Sequence, residues 1–557
     1  MTDLSTTPVL IIDCQTTGSS PKSARLLELG WSRLVPPGGE TGETPSIHST
    51  LVALPPDESV PLRISRLTGI QDDDLEGAPD GAGAWRQVLT GAERCPFVAH
   101  YARFEIPFLE DLHGGSLPTP VYCTWEIARR LLPDLPSRSI RGIAGYLGHS
   151  MDELKRAAHH VEATVYIWQK LLPLLQDQGV TSFADLDHWL AATRPAPSGK
   201  KQYAMPPGLR LRLPDAPGVY RLLDRNGRIL YVGKATSLKS RVNSYFRGQK
   251  TRGSRLNELV SQVADIDIIP ADTPLQAALI ENDEIKQHDP AYNRALRRQE
   301  RRVTWCDRHF RLQDPPDRAS LGPFTSPALP AALHEILLLL DGELRPEDFQ
   351  EEIPAGVLQE GLDLFRQDLQ TAGSWNRLIL EGWLAAIRRD RLALLEPEGE
   401  EEEDDPLSTG EEDIPDEETP AEPEDVRRYY RSQVAALARR LHRVRWLTRL
   451  SSCDLLWKEK NLPGWQHLEM RDGKYRFDRF ARKPRRPPGP TEPGPGPDRA
   501  ALFDLETLDR LGVLMTEIRR LITAGRPMLL RYHPGPGLDR EAIHRYLFPG
   551  TWLEEDV

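Results

Sequence analysis

Between Gly218 and Asn293 the chain gathers side chains suited to attack on a phosphate diester. Tyr220 and Tyr231 sit in two short apolar runs, and Gly233 and Lys234 follow the second. Arg241 and Tyr245 come four residues apart, and Glu281 and Asn293 come late. Hydrolysing a phosphodiester requires a metal ion, an activated water and cations near the charge that develops. A phenol can orient such a water or take its proton. With a pKa of ~10 it is a poor base at neutral pH unless its surroundings lower that value. Lys234, Arg241 and a metal would act in that direction, and Arg241 can fork onto phosphate oxygens. Taken singly, each residue has a plainer role: core tyrosines on a strand, a helix-surface arginine, a solvated glutamate. The set in this order points to phosphodiester chemistry.

Local sequence supplies elements that position these groups. The apolar runs Gly218-Val219-Tyr220 and Ile229-Leu230-Tyr231-Val232 flank Asp224-Arg225-Asn226-Gly227, whose Asn-Gly step predicts a tight hairpin turn. Leu238, Val242 and Tyr245/Phe246 recur at helical spacing. Thr273-Pro274-Leu275-Gln276 predicts a helix start, with Thr273 as cap, Pro274 in the first turn and Gln276 bonding back to the cap N–H. Glu281 falls two turns into that helix.

The whole stretch resembles a GIY-YIG nuclease domain, closest to the N-terminal nuclease of the bacterial repair protein UvrC and its short relative Cho, with every signature position filled. The resemblance implies that Tyr220, Tyr231, Arg241 and Glu281 are catalytic. It also implies that Gly233, Lys234, Tyr245 and Asn293 complete the site on the substrate side. Glu281 is the one signature carboxylate, and a single oxygen ligand with waters suits Mg²⁺ (or Mn²⁺).

A second resemblance covers Val9 to about Leu175. Val9-Leu10-Ile11-Ile12-Asp13-Cys14-Gln15, Val98-Ala99-His100-Tyr101-Ala102-Arg103-Phe104-Glu105 and Lys155 to Thr164 resemble the three motifs of DnaQ-type (DEDD) exonucleases. Arg63 to Ile70 matches a further landmark. The family fold is RNase H-like, and its members hold two metals with four carboxylates and use a His as base. Here Asp13 remains, Gln15 replaces a Glu, and Glu105 replaces an Asp. Lys155 falls at the base and His160 at the last Asp. A protonated Lys accepts no proton, and a neutral imidazole is a poor substitute for a hard oxygen ligand. Other registers do no better: His159 as base puts Thr164 at the metal position, and Glu162 as ligand puts Ala157 at the base. The expectation is an inactive exonuclease fold, in which Phe104 could still stack on a base.

Composition agrees with a nucleic-acid partner. The 557 residues carry a net charge of −12, but Glu396 to Asp425 contains 17 acidic residues and no Lys or Arg. Without that tract the chain is net positive by 5, and residues 207–302 alone are net positive by 7. Five scattered cysteines without a CxxC pair, no signal peptide and no long apolar run predict a cytoplasmic protein with no structural zinc site and no membrane span.

The predicted architecture is α/β and multidomain. An RNase H-like exonuclease fold (1–180) leads through a linker (181–206) to a small α/β GIY-YIG nuclease domain (207–302). The stretch Arg194 to Lys201 reads as an exposed hinge. A mainly helical C-terminal part follows (303–395), including two amphipathic helices from Leu358 to Leu395. Then come a disordered acidic linker (396–425) and an α+β region (426–557) with a Pro/Gly linker near 482–499. Within that last region Val426 to Leu450 reads as helix, Leu455 to Phe477 as a small sheet, Leu502 to Ile522 as helix and Met528 to Tyr532 as a final strand. There is no internal repeat, no second nuclease motif set and no helix-hairpin-helix signature. The single-incision relative is therefore the nearer likeness, with DNA as substrate and other nucleotide excision repair proteins as partners. A non-catalytic DNA-binding scaffold and a 3′-to-5′ exonuclease are the alternatives.

Overall fold

A computed structural model describes residues 3–35, 45–92, 95–151, 153–194, 199, 201–247, 253–293, 302–307, 309–314, 316, 320–324, 327, 330–331, 334, 338, 355–370, 422–428, 443, 446–483, 503–533 and 537–547. The chain forms two units. One comprises Met1–Asp215, Tyr220–Tyr231 and Lys239–Ile268; the other comprises Ala216–Val219, Val232–Leu238 and Ile269–Val557.

The first unit is built on β1 (Val9–Thr16), β2 (Leu26–Leu34), β3 (His48–Leu51), β4 (Phe97–Ala99) and β5 (Val121–Cys123), in the order β3-β2-β1-β4-β5. β1 runs antiparallel to β2 and parallel to β4. Its unbroken apolar run is a strand buried on both faces. Val9 and Ile11 enter one core with Trp168 and Leu171, while Leu10 and Ile12 enter another with Trp85 and Phe97. The helix Ala157–Gln176 covers the sheet, and Gly30 makes that approach possible, since a Cβ there would stand 2.8 Å from the Ala157 carbonyl carbon. This is the RNase H-like fold that the motifs implied.

The segment Arg194 to Lys201, expected to be a hinge, is exposed where it is described, at Arg194, Gly199 and Lys201. The helices Ile140–Leu147 and Ser254–Gln262 pack together within this unit, so that a Cβ on Gly145 would meet Gln262 Cγ at 2.2 Å. Ser139 Oγ donates to Glu258 (2.6 Å), and Ser137 N–H donates to Ser261 Oγ (2.9 Å). Gly199 and Gln202 are bonded through their N–H groups to Asp134. Residues 195–198 and 200 lie outside the described residues.

β6 (Gly218–Leu223), β7 (Ile229–Ala235) and β8 (Asp265–Pro270) form a sheet in the order β7-β6-β8. The predicted hairpin is present. Asp224 accepts from the N–H groups of Asn226 and Arg228, and Gly227 adopts φ 78°. Helices follow at Leu238–Ser244 and Pro274–His288. Thr273 caps the latter by accepting from Gln276 N–H (3.1 Å), but the Gln276 side chain accepts from Asp272 N–H, one residue before the cap residue expected.

In the second unit β9 (Thr304–Cys306), β10 (Leu312–Gln313) and β11 (Leu321–Phe324) form a small antiparallel sheet. β12 (Cys453–Trp457), β13 (Trp465–Arg471), β14 (Lys474–Phe480), β15 (Met528–Tyr532) and β16 (Gly537–Asp539) form a larger one in the order β14-β13-β12-β15-β16. The C-terminal region is thus helical only in part, and β15 is not the final strand. Every residue of β12 is buried, and the helix Leu505–Thr523 shares its core. The helix Ala355–Gln370 accounts for the start of the two amphipathic helices expected from 358 to 395; the remainder lies outside the described residues. Residues 423–428 are helical, so helix rather than disorder takes the last three positions of the acidic tract, while 396–421 lie outside the described residues. No helix among the described residues is long and apolar enough to cross a membrane.

Candidate functional site

The sequence-predicted nuclease residues fall into two clusters, one in each unit. In the first unit β6 carries Tyr220, β7 carries Tyr231, and the helix Leu238–Ser244 carries Arg241, with Tyr245 just beyond its end. The three tyrosine rings form a triangle with centroid separations of 6.0, 6.1 and 6.3 Å. The Tyr220 and Tyr245 hydroxyls are 2.7 Å apart, and the Arg241 guanidinium lies 5.3 Å from the Tyr245 ring centre. The expectation that surrounding cations lower the first phenol is corrected for Tyr220. Burial pushes its pKa well above the usual value, Tyr245 and Tyr231 add to the rise, and Arg241 opposes it less strongly. A fully buried phenol keeps its proton and acts as a hydrogen-bonding group.

In the second unit the Lys234 N–H donates to Glu281 Oε1 at 2.7 Å. The Glu281 carboxylate is half-buried on the helix Pro274–His288. Asn293 clamps β7 from the side: its amide accepts from Val232 N–H (3.0 Å) and donates to Val232 carbonyl (2.9 Å). What the structure shows of Asn293 is therefore a scaffolding role. Gly233 is buried between Val232 and Lys234. A half-buried hard oxygen donor with one oxygen held by a backbone N–H would suit a hard divalent cation such as Mg²⁺ or Mn²⁺. Among the described residues no group of three or more His, Cys, Asp or Glu is arranged to hold a metal, so an ion here would rest on one protein carboxylate.

Sequence reasoning missed what lies on the far side of Lys234. Its ammonium is 3.0 Å from Glu517 Oε1, on the helix Leu505–Thr523. Glu517 is buried and bonded also to Arg520 (2.6 Å). Burial alone would raise its pKa, but Lys234 and Arg520 together hold it below the ordinary value. A signal existed: Leu275, Leu279, Asp283 and Lys286 recur at four, four and three residues, a stripe on the Glu281 helix that needs a partner.

The degenerate exonuclease positions are also drawn together in part. Asp13 Oδ1 lies 3.1 Å from His160 Nδ1, and Asp13 Oδ2 accepts from the Gln15 amide at 3.0 Å. Glu105 accepts from Cys14 N–H (3.0 Å) and from the Cys14 thiol (2.7 Å). Burial, and then the charge of Asp13, push the Glu105 carboxyl well above the carboxylate range. Lys155 is exposed in the segment before the helix Ala157–Gln176. These groups do not fit a two-metal site: one carboxylate is engaged by an amide and an imidazole, and the other favours its neutral form. Phe104, expected to be able to stack on a base, is partly buried and packs on Phe108 (5.4 Å between rings) against the sheet core. The buried Glu28 was also missed. It takes two bonds from Arg156 and one from Ala157 N–H, fixing the start of the helix that carries His160.

A family model for a UvrC-like GIY-YIG domain matches residues 216–294, and a family model for an exonuclease matches residues 10–167. A protein of Mycobacterium tuberculosis described as a bifunctional exonuclease/endonuclease is 32% identical over 301 residues, which cover 52% of this chain and 44% of that protein. The UvrABC system protein C of Moorella thermoacetica is 52% identical over 86 residues, covering 15% of this chain and 14% of that protein. The chain thus spans less than half the length of either relative. Among solved structures, an exonuclease X in complex with 5′ overhanging duplex DNA aligns at 21% identity and TM-score 0.26, over 32% of this chain and 98% of that one. The GIY-YIG N-terminal endonuclease domain of UvrC from Thermotoga maritima, bound to magnesium, aligns at 27% identity and TM-score 0.15, over 16% of this chain and all of that one.

Proposed function

We propose that this chain, which joins an exonuclease-type domain to a UvrC-like GIY-YIG nuclease domain, is a metal-dependent endonuclease that makes one incision near damaged or distorted DNA, as a Cho-like enzyme of nucleotide excision repair. The observation that carries the reading is the bond from the Lys234 backbone N–H to Glu281, which sets the one signature carboxylate against the strand that carries Gly233 and Lys234. A divalent ion bound at Glu281 would supply Lewis acidity and lower the pKa of a coordinated water. Tyr220 acts as a neutral hydrogen-bonding phenol whose hydroxyl Tyr245 fixes, and Tyr231 beside it would supply a second phenol to orient a water. Arg241 and Lys234 meet phosphate oxygens, and Gly233, buried in β7, adds no side chain beside Lys234. Asn293 keeps β7 in register with the residues behind it. Distorted DNA exposes its phosphates at low unstacking cost. Residues 1–180 serve as a nucleic-acid-binding or docking module without hydrolytic activity, because Asp13 is engaged by Gln15 and His160, and Glu105 by Cys14. The nuclease takes in residues 207–302, and other nucleotide excision repair proteins are its partners.

The test is nicking of supercoiled plasmid and of a lesion-containing duplex by the full chain, with Mg²⁺ or Mn²⁺ and with chelator. Metal-dependent nicking is expected. Glu281→Ala should lower its rate on the order of 100-fold or more while DNA affinity is retained, because the variant removes a negative charge. Cleavage by Glu281→Ala at the parent rate would make the metal assignment wrong, and metal-dependent shortening of 3′ ends by that variant would restore the exonuclease reading.

A further inference from the structure

We propose that Glu517 is a positioning residue of the nuclease, holding the Lys234 ammonium in place, and that the C-terminal helix bearing it is a working part of the GIY-YIG site. The inference rests on the nuclease reading above. Lys234 is tied at both ends: its backbone N–H to Glu281 (2.7 Å) and its ammonium to Glu517 (3.0 Å). The Lys234 side chain is 36% exposed and Glu517 only 4%. A half-exposed lysine is a long flexible cation that loses rotamer freedom when it is ordered on a phosphate. A buried carboxylate bonded to it fixes that geometry in advance, and pre-organised charge is what stabilises a developing anion.

A carboxylate beside a phosphate-binding lysine could instead be a cover that competes with substrate and must leave. The interface argues against that. The helix Pro274–His288 presents Leu275 and Leu279 to the C-terminal core, where they pack with Leu511, Leu514 and Ile518. Asp283 takes two bonds from Arg510 (3.1 and 2.9 Å) and one from the Tyr475 hydroxyl (2.9 Å). Lys286 and Asp509 form an ion pair whose side chains are almost fully buried. Separating these elements would expose apolar core and strand buried charges, which is strongly unfavourable. Glu517 is therefore a permanent neighbour of Lys234, brought there by the same packing that holds the Glu281 helix.

The experiment is a double-mutant cycle on plasmid nicking by the full chain with Mg²⁺, using Glu517→Gln, Lys234→Ala and the double variant. Asp283→Asn serves as a control that cuts the same interface away from Lys234. Glu517→Gln should slow the cleavage step on the order of tenfold with DNA affinity little changed. The loss should disappear in the Lys234→Ala background, because Glu517 acts through that side chain. Asp283→Asn should nick at nearly the parent rate once its melting point is matched by choice of temperature. Glu517→Gln that nicks as fast as the parent or faster, or losses that multiply in the double variant, would overturn the proposal. So would equal losses in Glu517→Gln and Asp283→Asn at equal loss of thermal stability, which would mark Glu517 as merely structural. A parent chain that nicks nothing overturns the nuclease reading itself, and this inference with it.

Discussion

His160 shows how one substitution changes the chemistry of a site. An aspartate at its position would add a negative charge beside Asp13; the imidazole instead bonds to Asp13 at 3.1 Å. Burial disfavours the charged ring, but the carboxylate of Asp13, helped by Glu28, outweighs it and raises the His160 pKa above the ordinary value. The neighbouring His100, buried and bonded to Thr124 and to the Arg138 carbonyl, is pushed down to about 4 and stays neutral. A His whose folded pKa is raised stabilises the fold fully below its unfolded pKa of about 6.5, and the stabilisation is lost as pH rises through the folded value. The melting temperature of the chain should therefore fall as pH rises above about 6.5 and through the raised folded value, and His160→Gln should make that fall shallower. A His160→Gln profile parallel to the parent's would show that the pair contributes nothing to the fold.

Among the elements, β6 depends on a glycine at its first residue. A Cβ on Gly218 would stand 2.7 Å from the Ile269 carbonyl oxygen and 2.8 Å from Leu238 Cδ1. The leucine can turn, but the oxygen belongs to β8 and moves only with that strand. Gly218→Ala should cost about 1–3 kcal/mol of stability and displace the strand that carries Tyr220, so nicking should fall with it. Denaturant unfolding checks the first effect and the plasmid assay the second. A glycine so placed explains why the signature begins where it does: the close approach of two backbones leaves no room for a side chain.

For the molecule as a whole, charge is unevenly distributed along the chain. The tract Glu396 to Asp425 carries 17 carboxylates, while residues 207–302 are net positive by 7. A polyanion attached to a basic nucleic-acid-binding region competes with DNA for it, and ions screen that competition over about 10 Å at 0.1 M salt. Deleting residues 396–421 should tighten DNA binding, most at low salt. Affinity unchanged across a salt titration would leave the tract as a spacer.

The sequence by itself determined the parts whose causes are local. Four successive apolar residues before Asp13 read as a strand, and Asn226-Gly227 as a tight turn between Tyr220 and Tyr231, and both are present. The residue types at the nuclease positions, and their departures at Gln15, Lys155 and His160, were legible as chemistry without coordinates. Tertiary structure decided the rest, because burial and long-range packing are properties of the assembled core. It sealed Tyr220 and so raised the phenol that nearby cations were expected to lower. It spent the Asn293 amide on the Val232 backbone and packed Phe104 against Phe108. It also brought Glu517 to Lys234 across 283 residues of chain. No local spacing encodes that contact: the apolar stripe on the Glu281 helix announced a partner, and only the folded core identified it.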